Sequence, residues 1–336
     1  MSRPKRSEPA ILFLGAGPLA SHLELFRRYF RVYAADSDPL AASARVSDGI
    51  FVVPPFDDAD FGPMLEGIIR KHGIHVVMPA SHASLAALDG QRERVVAAGA
   101  LPVICDSRTL RIAADKAQTF CFFISNDIPT LPLFAPDAEI PFPVCVRSAD
   151  ANGSERAFLA RNRREMNFFC RTVPNAIIQR ATEGEEYTIE VFADLDGRVL
   201  SAVPCRCIET RDGEVVKAVT VKDRSLIDHA VEIASTLGIV GPICIRAFRE
   251  GTQAYFADIR CRFGSTATLA SRAGADIARM LAAAVSGQHL DYDEDWQDGL
   301  LMVRAYRDFY LGIEELAQTA GIAGADEFPL PAGARS

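Results

Sequence analysis

The chain has 336 residues, 49% hydrophobic and 24% charged, with 36 basic against 44 acidic side chains and a net charge of −8. That length predicts two to three domains with more than one core, and the acidic balance argues against a general nucleic-acid or anionic-membrane binder. No apolar run reaches the ~18–20 residues that span a bilayer, and eight cysteines without a C-x-x-C pair predict a reduced, cytoplasmic protein.

In the first hundred residues short apolar runs alternate with helical patterns. Strands are expected at 11–15, 31–36, 49–54, 75–79 and 101–105, with helices at 18–30, 61–73 and 84–99. That alternation predicts a parallel, doubly wound sheet with ligand-facing loops after its strands. One helix is expected over 107–126, and then the pattern changes. Strands are expected at 144–147, 176–180, 185–195, 198–209, 214–221, 241–250 and 253–263, with acid–Gly turns at Asp196–Gly197, Asp212–Gly213 and Glu250–Gly251. Helices over 223–237, capped by Asp223 and stopped by Gly238, and over 267–285 complete an antiparallel α+β region. The expected domains are 1–106, 107–290 (subdomains 107–182 and 183–290) and a C-terminal extension, 291–336, with a fraying tail. Only five residues are lysine (Lys5, Lys71, Lys116, Lys217, Lys222), so each that persists among the arginines is a weak candidate for a specific role.

GAGPLA (15–20) fits G-x-G-x-x-A between a strand and a helix, with Asp36 ending the next strand. Such a turn suits a dinucleotide phosphate, because glycines permit close backbone approach and the helix start faces the anion. It equally suits any tight strand–helix turn. The six histidines (22, 72, 75, 82, 229, 289) show no zinc-like spacing. Cys205 and Cys207 share a strand face, where packing explains them. Neither a nucleophile elbow nor a Walker A loop is present.

The second half carries a more specific series: Asp115–Lys116, FPVCVR (142–147), SADANGSE (148–155), IIQRATEGEEYTIEV (177–191), DGEVVKAVTV (212–221), GPICIRAF (241–248), FADIRCRFG (256–264) and LASRAGADIARM (269–280). In order and spacing it resembles the ATP-grasp superfamily, especially the carbamoyl-phosphate-synthetase large-subunit-like branch, over residues 10–310. The resemblance implies a Rossmann-like pre-ATP-grasp α/β domain followed by a two-subdomain α+β clamp that binds ATP. It implies an ATP-dependent carboxylate–amine ligase, forming an acyl phosphate from a small carboxylate for attack by an amine, and it is compatible with a homodimer. By the same resemblance Lys116 and Arg147 hold phosphates, Gln179 lies on the hinge strand that meets adenine, Glu186 takes the ribose hydroxyls, and Lys217 lies near the transferred phosphate. The GAGPLA turn is then expected to face the substrate end and bind no dinucleotide.

The chain departs from that family at the metal site, where Gln, Glu and Asn are replaced by Arg246, Asp258 and Arg260, while the next arginine remains as Arg262. Arg246, Arg260 and Arg262 are the candidate catalytic cations, and Asp258 is the one surviving metal position. A guanidinium has no free lone pair for a metal, and a unit cation ~4 Å from the doubly charged Mg²⁺ adds about 8 kcal/mol of repulsion at an effective dielectric of 20. Mg²⁺ is therefore disfavoured, with Arg246 and Arg260 replacing part of its charge. A three-residue hairpin loop, 251–253, sets Arg246 opposite Asp258. The loop 148–155 has one glycine and two acids where several glycines are usual, and His82 stands where the first domain often carries an acid. The rival readings are a catalytically silent nucleotide- or ligand-binding protein and, less favoured, an NAD(P) oxidoreductase.

Overall fold

The computed structural model describes residues 8–17, 19–150, 157–305 and 307–310. Two compact units divide after Pro102: the described residues up to Pro102, with those after Arg304, form one, and Val103–Arg304 form the other. Pro18, most of the 148–155 loop and the tail beyond 310 lie outside the described residues.

The first unit is a five-stranded parallel sheet of β1 (Ala10–Leu14), β2 (Arg31–Asp36), β3 (Gly49–Val52), β4 (Val76–Pro79) and β5 (Leu101–Pro102), in the order β3-β2-β1-β4-β5. Every residue of β1 is buried, as a central parallel strand covered on both faces requires. The expected first helix narrows to Ala20–Phe26, whose Phe26 ring meets Phe13 edge-on at 5.0 Å. The helix expected over 84–99 is two, His82–Gly90 and Arg92–Ala97, joined at Gln91.

The second unit holds two antiparallel sheets. The smaller contains β6 (Leu133–Phe134), β7 (Val144–Ser148), β8 (Phe158–Ala160) and β9 (Ala176–Arg180), ordered β6-β9-β7-β8. The larger contains β10 (Glu185–Ala193), β11 (Val199–Arg211), β12 (Glu214–Thr220), β13 (Gly241–Glu250), β14 (Gln253–Arg260) and β15 (Leu301–Val303), ordered β14-β13-β10-β11-β12-β15. Asp212 and Gly213 both have positive φ (49° and 80°), as a tight two-residue hairpin requires. The helix over Arg224–Leu237 starts on the Asp223 cap and ends on Gly238 in the left-handed conformation, as expected.

Several elements differ from the sequence expectation. The helix expected over 107–126 is two, Ser107–Ala114 and Lys116–Ser125, because Asp115 is extended and its carboxylate caps the second. The helix over 267–285 is also two, Ala267–Ala273 and Ile277–Val285, broken at Gly274 (φ 130°) and restarted by the Asp276 cap. The helix Arg163–Thr172, capped by Asn162, and the short strands β6 and β8 were not anticipated. Leu301–Val303, expected within a C-terminal extension, adds an edge strand by pairing with β12.

Candidate functional site

Strand alternation in the second unit brings cationic side chains from both sheets to one cavity of about 200 Å³. Lys116 comes from the start of its helix, Arg147 from β7, Arg246 from β13 and Arg260 from β14, while Glu186 and Thr188 come from β10. Ser148, Asp150, Thr210 and Ser265 add further polar groups to the lining.

Lys116 is fixed at both ends. Asp115 accepts hydrogen bonds from the Ala117 and Gln118 amides at 2.7 and 3.1 Å, which starts the helix at Lys116. The Lys116 amide donates to the Ala149 carbonyl at 2.8 Å, and its Nζ donates to the Asp150 carbonyl at 3.0 Å. Lys116 is 5% exposed as a residue, and its ammonium is thus held beside the end of β7.

Asp258 lies at the centre of an ion-pair chain. Its Oδ2 accepts from Arg147 Nη1 at 3.2 Å and lies 3.5 Å from Arg246 Nη1, while Arg246 Nε donates to Glu186 Oε1 at 2.7 Å. The Arg246 guanidinium also sits 5.1 Å over the Phe248 ring. Burial alone raises the Asp258 carboxyl, but the charges of Arg147, Arg246, Lys116 and Arg260 override it and hold the group far below the usual carboxylate range. Asp258 is therefore ionised at neutral pH.

The hairpin reaches the expected Arg246–Asp258 register by a different route. Its loop is two residues, since Glu250 pairs with Gln253, and continuing that register would place Ala257 opposite Arg246. A bulge between the Arg246 and Ala247 pairs inserts one residue and brings Asp258 opposite Arg246 and Arg260 opposite Cys244. A bulge resets the alternation, so it decides which face these side chains occupy.

The other expected site residues lie outside the cavity lining. Gln179 is buried, its backbone pairs with β6 and β7 on its two sides, and its Nε2 donates to the Leu131 carbonyl at 3.2 Å. Lys217 ion-pairs with Glu209 at 2.6 Å, two residues along the strand from the cavity residue Val215. Arg262 Nη1 donates to the Phe263 carbonyl at 3.2 Å.

Sequence reasoning missed Glu190, two places beyond Thr188 on the same face of β10. It is wholly buried, and its carboxylate accepts from the Gly264 amide at 3.1 Å and from Thr266 Oγ1 at 2.7 Å. Burial pushes its carboxyl above the usual range, against those hydrogen bonds. Gly264 is required here, because a Cβ would collide with the Glu190 carboxylate and the Cys244 sulfur. Glu190 thereby anchors the loop that brings Ser265 to the cavity. The period-two pattern Glu186, Thr188, Glu190 was the available signal.

Burial raises the thiols of Cys205 and Cys244 well above their ordinary value and that of Cys207 to about 12, so none is a thiolate nucleophile at neutral pH. Among the described residues no three His, Cys, Asp or Glu side chains are grouped to hold a metal ion. Glu186, which lines the cavity, and Asp258, bonded to its arginines, are both matched to guanidinium groups, while the third carboxylate, Asp150, accepts from Asn175 Nδ2 at 2.9 Å. This donor set does not fit Mg²⁺, which needs oxygen ligands in near-octahedral geometry. Four converging cations do fit a polyanion.

In the first unit, Gly15 has φ +66°, and a Cβ there would lie 2.7 Å from Ser81 Oγ. The Gly17 amide donates to Asp36 Oδ2 at 3.0 Å. The donor that a dinucleotide phosphate would require, and the acid that would take its ribose, are already bonded to each other.

Residues 11–104 match the family of PylC-like N-terminal domains, and residues 113–266 match an ATP-grasp domain family. Among solved structures, the biotin carboxylase domain of Hydrogenobacter thermophilus 2-oxoglutarate carboxylase, a dimer with magnesium ADP, ADP and bicarbonate, superimposes with a TM-score of 0.72 at 13% identity, covering 88% of this chain and 74% of that one. Campylobacter jejuni biotin carboxylase gives 0.68 at 12% identity over 88% and 74%. N5-carboxyaminoimidazole ribonucleotide synthetase from Thermotoga maritima gives 0.64 at 18% identity over 84% and 77%. No curated protein matches the chain. At these identities the structures speak for the fold alone. The chain thus combines a PylC-like N-terminal domain with an ATP-grasp domain, and it shares its fold with biotin carboxylase domains and with N5-carboxyaminoimidazole ribonucleotide synthetase.

Proposed function

We propose that this chain is an ATP-dependent ligase of the carboxylate–amine type that binds nucleotide in the Lys116–Arg147–Arg246–Arg260 cavity and neutralises its phosphates with side chains where relatives use metal. The convergence of those four cations on one cavity is the observation that carries this reading. Phosphoryl transfer calls chiefly for positioning and neutralisation of charge on the phosphate oxygens, which fixed guanidinium and ammonium groups supply. Arg246 is braced by Glu186, Asp258 and Phe248. In such a ligase ATP phosphorylates a carboxylate, and an amine attacks the acyl phosphate and releases phosphate.

Incubation with ATP, pooled small carboxylates and hydroxylamine tests the chemistry. Hydroxamate and ADP formed in equal amounts, and lost in Arg260→Met, is the expected result; no ADP release with any carboxylate would refute turnover. The complete pairing of Asp258 favours a second reading, nucleotide binding without transfer, marked by tight ATP binding with no ADP formed. The Hydrogenobacter domain was solved as a dimer, which supports a homodimer for this chain, testable by light scattering. Among the described residues no helix is long and apolar enough to cross a membrane.

A further inference from the structure

We infer that this cavity selects the metal-free form of a polyphosphate and that Mg²⁺ antagonises its binding. The inference rests on the nucleotide-binding reading above and goes beyond metal independence to metal opposition.

Lys116, Arg147, Arg246 and Arg260 line one small space, and the two carboxylates bonded to its arginines are already engaged. Glu186 Oε1 accepts from Arg246 Nε at 2.7 Å, and Asp258 Oδ2 accepts from Arg147 at 3.2 Å. A divalent cation entering the cavity meets four cations, two carboxylates paired with arginines, and a single further carboxylate, Asp150, whose Oδ2 already accepts from Asn175 Nδ2 at 2.9 Å. To gain Asp258 it must displace Arg147, whose side chain is 9% exposed, and leave that guanidinium without its counter-ion. Arg147 also keeps unused donor capacity, since its buried Nε has no hydrogen-bond partner among the described residues. An oxyanion answers that deficit and a metal aggravates it.

A magnesium ion on a polyphosphate coordinates the same terminal oxygens that guanidinium groups bind. The complex therefore offers these arginines fewer oxygens and less negative charge than the free ligand. An oxygen that already holds the metal has less charge and fewer lone pairs to offer a guanidinium, so free polyphosphate binds better.

Calorimetric titration of the full chain with inorganic tripolyphosphate and with ATP, in EDTA and in excess Mg²⁺ at matched ionic strength, tests this. Both ligands should bind in EDTA and at least about tenfold more weakly in Mg²⁺. Equal or tighter binding in Mg²⁺ would overturn the inference and leave the nucleotide-binding reading standing. No binding of either ligand under either condition would overturn both. Arg246→Gln combined with Arg260→Asn returns oxygen ligands and removes two charges, so Mg²⁺ should now strengthen binding. Arg260→Asn alone leaves the Glu186–Arg246–Asp258 pairs in place and should shrink the Mg²⁺ penalty if the double variant does not fold. A penalty unchanged in the folded variants would assign the effect to the ligand's own charge and overturn the role given to the arginines.

Discussion

Replacing Asp258 with asparagine removes the charge at the centre of the cavity's ion-pair chain while keeping the side chain's size. The Arg147–Asp258 pair is buried on both sides, at 9% and 6% exposure, with 3.2 Å between its atoms. Removing one partner of such a pair costs about 3–5 kcal/mol, because the remaining guanidinium loses its compensation in a poorly solvated site. Arg246 retains Glu186, so the loss falls mainly on Arg147. For a unit of this size the cost corresponds to a Tm decrease of about 6–20 °C. The pH dependence has a definite sign. The cations hold the folded carboxyl far below the unfolded value of about 4, so its stabilisation is complete above that value and is lost as pH falls toward the folded one. Urea unfolding of wild type and Asp258→Asn should therefore differ by the full amount at pH 7 and converge as the pH is lowered below about 4. Asp258→Leu with Arg147→Met should lie closer to wild type than Asp258→Asn, since it buries no unpaired charge. A difference below about 1 kcal/mol at pH 7, or one that does not shrink in acid, would refute the electrostatic account.

Gly264→Ala should destabilise the second unit by about 3 kcal/mol in the same unfolding assay, because its Cβ collides with the Glu190 carboxylate. Asp115→Ala should cost about 1 kcal/mol as a lost helix cap and also weaken ATP binding, since the cap fixes where Lys116 begins the helix. Titration with NAD or NADP should show no micromolar binding, because the Gly17 amide and Asp36 are bonded to each other.

Most of the fold was legible because its signals are local: buried strands, acid–Gly turns, and the Asp223 and Gly238 helix ends. Helix breaks were harder where a single residue decides them. Asp115 and Asp276 read as ordinary helix-surface acids until their carboxylates are seen capping the next helix. At the site, Lys116, Arg147, Glu186, Arg246 and Arg260 were named from the sequence and share the cavity. The register of Asp258 was reached with the wrong loop length, because the bulge that sets it arises between two strands and has no signature in either. Gln179, Lys217 and Arg262 carry suitable chemistry, but each side chain has a local partner that the linear sequence does not reveal. Glu190 was passed over because a fully buried, uncharged-environment acid on a strand looks like any other alternating residue.

The central claim is that the four converging cations bind a nucleotide through its phosphates, and calorimetry of ATP in EDTA with wild type, Lys116→Met and Arg260→Met tests it most directly. Each lost charge-assisted hydrogen bond is worth about 1.5–3 kcal/mol, so each variant should weaken binding by roughly 10- to 150-fold while keeping the wild-type stoichiometry. Unchanged affinity in both folded variants would contradict the claim and place any nucleotide elsewhere on the chain.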